Sequence, residues 1–87
     1  MRRRKRPDLL RSAPQMKEKA WLAYGDAAPY LLNIEWTKLS IARTIEESRN
    51  LIELREKIQK LKDEEKEPTR KSDLRIYLIY LEKVMQK

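Results

Sequence analysis

Eighty-seven residues allow one domain at most, and a chain this short buries only about 60% of the surface its unfolded form exposes. There is no Cys and no His, so disulfides, thiolate and imidazole metal sites and the usual general base near neutral pH are all excluded. Helix packing and partner chains remain as the means of stabilisation.

The net charge is +7 and unevenly placed. Residues 1–19 hold eight Lys/Arg against two acids, residues 20–67 hold eight against ten, and residues 68–87 hold five against two. A basic arm on a near-neutral body suggests phosphate contact more than a uniformly basic surface would. A solubilising tail is the plainer alternative.

Residues 1–11 read as a flexible basic arm: five consecutive cations repel one another and Pro7 blocks helix continuity. Pro7 and Asp8 stand where a secretory signal needs an apolar run, and they also weigh against a mitochondrial presequence. Residues 12–87 then form a single helical domain. Its first helix is expected over 14–24, with Ser12 as cap, Pro14 in the first turn and Gly25 as the stop. Met16, Ala20, Ala23 and Tyr24 share one face.

Asp26 and Pro29 read as the start of a second helix, and nothing between Tyr30 and Glu65 breaks helicity. A helix over 29–66 would span more than about 50 Å, in the manner of a coiled-coil or hairpin arm. Leu31, Ile34, Ile41, Ile45 and Ile52 make one seam, and Leu51, Leu54, Ile58 and Leu61 make a second at 3-4-3 spacing. The seams are offset near Ser48 to Leu51, which reads as a stutter.

Pro68 ends that helix, and a third is expected over 72–86, capped by Ser72 or Asp73. Leu74, Tyr77, Leu78, Leu81 and Met85 form one apolar face. Ile76, Ile79 and Tyr80 lie to the side and are assigned to an oligomer interface, since a returning helix would cover the first face alone. The fold class is all-α: a short helix over the Leu31–Ile45 half, a long helix, and a C-terminal helix returning over the Leu51–Leu61 half, hairpin or coiled-coil-like.

No motif carries chemistry. One glycine cannot form a phosphate loop, adjacent acids on a helix point about 100° apart, and no Ser has a His partner. An enzyme is therefore not expected, nor is a cofactor or metal. The first two helices have the outline of a helix-turn-helix, with Asn33, Trp36, Thr37 and Ser40 outward. Sparse basic residues and continuity with a long helix weigh against it, and Trp21 and Trp36 read better as core. Thr37, Ser40, Thr44 and Ser48 form a small polar stripe, read first as a solvent face and second as a close-packing groove for another helix.

The strongest functional signal is Arg2, Arg3, Arg4, Lys5 and Arg6, extended by Arg11, Lys17 and Lys19. Each cation that neutralises a phosphate releases condensed counterions, giving salt-dependent affinity without sequence preference. Arg70, Lys71 and Arg75 make a second cluster at the far end of the expected long helix. The expectation is a nucleic-acid-binding protein for DNA or RNA, intracellular, without a membrane span. It would be a homo-oligomer or a subunit of a larger assembly. Viral or mobile-element DNA packaging and a minor ribosomal role are the settings that fit. The rival is a coiled-coil adaptor for another protein, its arm a solubilising or nuclear-targeting tail. The Lys, Glu, Ile and Tyr richness is a bias also found in hyperthermophile proteins.

Overall fold

The computed structural model describes the backbone of residues 5–86 and the side chains of residues 15–86. Four helices make up the fold: α1 Lys5–Ala27, α2 Ile34–Glu46, α3 Leu51–Glu64 and α4 Pro68–Met85, with a 3-10 turn Ala28–Tyr30 after α1. Among the described residues there is no strand, so the all-α class holds.

The backbone is helical from Lys5, so α1 begins well before the expected Pro14. Pro7 lies within α1 and does not prevent helical backbone there. Of the segment read as a flexible arm, residues 1–4 lie outside the described residues and the rest enters α1. Gly25 does not stop the helix. It keeps a negative φ and sits exposed inside α1, which runs on to Ala27. Among the described side chains of α1, Met16, Ala20, Ala23 and Ala27 are the buried stripe. Three of the four are alanines, and small side chains let α1 and α4 approach closely enough for the Tyr77 hydroxyl to donate to the Ala20 carbonyl at 2.9 Å.

The continuous helix expected over 29–66 does not form. Asp26 lies in α1, Pro29 opens only the 3-10 turn, and residues 47–50 separate α2 from α3. This break falls where the two apolar seams lose register. Asn50 caps α3, its side-chain oxygen accepting from the Glu53 N–H at 2.8 Å. Glu53 reaches back to accept from the Arg49 N–H at 2.7 Å, close to a capping box. On the other side of the break, the Lys57 ammonium donates to the Glu47 carbonyl at 2.6 Å, taking up an orphan acceptor at the end of α2.

Pro68 starts α4 instead of merely ending the preceding helix. It occupies the first turn, and the Glu67 carboxylate caps it by accepting from the Thr69 and Arg70 N–H groups, each at 3.0 Å, and from the Thr69 hydroxyl. The third helix therefore begins four residues before Ser72.

α4 is the centre of the molecule. It packs against both α1 and α3, whereas α1 touches α2 only slightly. The pairing expected from the sequence, first helix on second, is thus replaced by first helix on last. Leu74, Tyr77, Leu78, Leu81 and Val84 of α4 meet Ile41 and Ile45 of α2 and Leu54 and Ile58 of α3 in one core. Met85, expected on the buried face, is only half-buried, and Val84 takes its place.

Asp73 joins the parts. Expected to cap its own helix, it lies inside α4, fully buried. Its carboxylate accepts from the Leu32 N–H at 2.9 Å, the Asn33 N–H at 2.7 Å and the Thr37 hydroxyl at 3.0 Å. It thus stands at the N-terminus of α2, where the helix dipole favours a negative charge. Asn33 occupies the cap position of α2 yet does not cap it, because its amide donates to the Thr69 hydroxyl at 2.9 Å.

Candidate nucleic-acid interface

Arg2, Arg3 and Arg4 lie outside the described residues, and Lys5, Arg6 and Arg11 are described only as helical backbone. Lys17 and Lys19 are exposed on α1. The Lys17 ammonium lies 3.3 Å from Glu46, tying α1 to the end of α2. Both partners of that pair are well exposed, so it contributes at most about 1 kcal/mol and is easily exchanged for another anion.

The second cluster divides. The Arg70 guanidinium sits half-buried, 4.8 Å from the centre of the Trp36 ring, in a cation–π contact that uses it within the fold. Lys71 and Arg75, one helical turn apart and exposed, line a hollow with Lys62 from the end of α3. Lys62 was not singled out in the sequence. Only the folding of α3 against α4 brings it beside residues nine and thirteen positions away. One acid is close, Asp63 at 3.7 Å from Lys62.

A helix-turn-helix reading does not survive this geometry. Asn33 is held by Thr69, Thr37 is buried on Asp73, and Trp36 lies under Arg70. The same contacts overturn the first reading of the small polar stripe. Thr37 and Thr44 are buried, Ser40 and Ser48 half-buried, and the Thr44 and Ser48 hydroxyls donate to the carbonyls of Ser40 and Thr44, each at 2.7 Å. Thr37 packs against Asp73, whereas Ser40 and Thr44 line a groove between α2 and α3.

The three residues assigned to an oligomer interface have different surroundings. Tyr80 is half-buried, its ring stacked on that of Tyr30 with centres 6.1 Å apart and planes within 5°. Ile76 is half-buried and Ile79 is 50% exposed. The chain itself, through α1 and the 3-10 turn, therefore covers part of the second side of α4.

Between α2 and α3 lies a groove of about 240 Å³ lined by Arg43, Thr44, Glu47, Lys57, Lys60 and Leu61. Among the described residues no three His, Cys, Asp or Glu side chains converge to hold a metal ion. No helix among them is long and apolar enough to cross a membrane.

No curated protein and no solved structure is significantly similar to the chain. A family model does match, over residues 16–86, so the match takes in α2, α3, α4 and the described part of α1's core stripe. Lys17, Lys19, Arg70, Lys71 and Arg75 fall inside it, and the cluster Arg2–Arg6 falls outside. With most of its length matched in this way, the chain belongs to the MJ1579 family.

Proposed function

We propose that the chain is a non-enzymatic nucleic-acid-binding protein that takes up phosphates through its N-terminal cations. The observation that carries this reading is the charge distribution: eight Lys/Arg against two acids in residues 1–19, beside a body that is slightly acidic from 20 to 67. Lys19, Lys71 and Arg75 are exposed, and Lys17 is held only by a solvent-accessible partner, so the body offers cations of its own. Duplex DNA and structured RNA, titrated with the protein across a range of salt, test the reading. A steep linear fall of log affinity with log salt is expected. Affinity indifferent to salt, or no binding at low salt, refutes it.

A second reading, a helical adaptor or self-associating subunit, is favoured by surface apolar residues. Leu32 is 71% exposed, Leu39 65% and Ile52 57%. Light scattering on the wild type and on the Ile76→Glu, Ile79→Glu double variant tests self-association. Assembly lost in the variant supports it, and a monomeric wild type removes it.

A further inference from the structure

The 3-10 turn Ala28–Tyr30 presents Tyr30 at the surface, 60% exposed. Its ring runs parallel to that of Tyr80 within 5°, in an offset contact with centres 6.1 Å apart, and Tyr80 in turn carries the Lys83 ammonium 5.0 Å from its ring centre. Tyr30 is not spent on burial. Instead it lies in offset parallel contact with a half-buried partner that itself carries a cation. Pro29 fixes the turn that carries it. A ring already in contact with a partner loses less freedom than an isolated one when a second flat group lies on it.

We infer that Tyr30, flanked by Tyr80, is a stacking platform for an unpaired base of a single-stranded polynucleotide, with the exposed Lys83 leaving the Tyr80 ring to meet an adjoining phosphate. Bases inside a duplex are closed to such a ring, whereas every unpaired base offers a π-face, so the platform selects single strands without reading sequence. The inference rests on the nucleic-acid reading above and adds the strand class to it. One feature opposes it locally. Asp26 is near enough to act on the Tyr80 hydroxyl, and its charge repels a phosphate backbone.

The test uses the full chain with an oligothymidylate, an oligouridylate of equal length and a mixed-sequence duplex, each titrated at low and at moderate salt. Single strands should bind more tightly than the duplex. Tyr30→Leu keeps apolar bulk but has no π-face, and it should weaken single-strand binding by roughly 5- to 150-fold while leaving duplex affinity and the salt slope unchanged. Tyr30→Phe should retain the wild-type affinity, and Asp26→Asn should tighten it. Circular dichroism and thermal melting of each variant establish that it is folded. If folded Tyr30→Leu binds single strands as well as the wild type, or if single strands bind no better than the duplex, the platform is refuted while phosphate binding stands. If no polynucleotide binds in a salt-dependent way, the nucleic-acid reading falls and takes the platform with it.

Discussion

Asp73 is the residue on which the arrangement of helices most depends. Its side chain lies in the interior and faces three donors, two of them backbone N–H groups at the start of α2. Removing the carboxylate leaves the buried Thr37 hydroxyl without a partner, at about 1–3 kcal/mol, and takes a hydrogen bond of about 0.5–1.5 kcal/mol from each of the part-buried Leu32 and Asn33 N–H groups. Asp73→Ala should therefore cost about 2 kcal/mol or more in urea unfolding, a large share of the stability of a domain this size. A cost near zero would mean that α2 is anchored by other contacts. Tyr77 is the second such residue. Burial pushes its phenol well above the ordinary value of 10.0, so the neutral form is the one the fold holds. The folded pKa is the raised one, so this contribution is fully present below pH 10 and is lost as the pH rises beyond it. Tyr77→Phe should lose the hydrogen bond to Ala20, about 1 kcal/mol at neutral pH, and should flatten the loss of stability above pH 10. Neither role was legible locally. Asp73 reads from the sequence as a plausible cap for its own helix, and nothing along the chain shows that its donors lie some forty residues upstream.

At the scale of the elements, the boundaries follow from a few polar side chains that the periodicity of apolar residues does not report. Nothing in composition forbids a helix from 29 to 66, and helix propensity alone favours one. The break at residues 47–50 forms because Ile41 and Ile45 before it and Leu54 and Ile58 after it cannot all face the core along one straight axis, and because Asn50 and Glu53 satisfy the backbone groups that the break exposes. The loss of register was visible in the sequence, and so was Asn50 three residues before Glu53, a spacing that marks a helix start. Asn50→Ala should cost about 1 kcal/mol, measured by thermal or urea unfolding, and an unchanged stability would show that the α3 cap is dispensable. Gly25 makes the opposite case. As the single glycine it looks like a helix stop, but it lies within α1 with no heavy atom in the way of an added methyl group. Gly25→Ala should therefore stabilise the protein by about 0.5–1 kcal/mol, and a destabilised variant would contradict the helical placement.

On the scale of the whole molecule, the all-α class, the apolar face of the last helix and the Met16–Ala20–Ala23 stripe were all legible as patterns of period 3.6. Which helix covers which was not. The alanine stripe marks a close contact without naming the partner, and α4 takes both α1 and α3 because its apolar surface wraps more than one side. The charge asymmetry is also a property of the whole chain, and on it the functional reading depends. Five of the cations concerned, Arg2 to Arg6, precede the stretch that matches the family. The most direct test is to compare the full chain with a form lacking residues 1–6, binding the same duplex over the same salt range. Each phosphate contact contributes about 0.9 to the log–log slope, so the slope should fall by about 4 to 5 units when five contacts are removed. Equal slopes for the two forms would contradict a phosphate-binding arm.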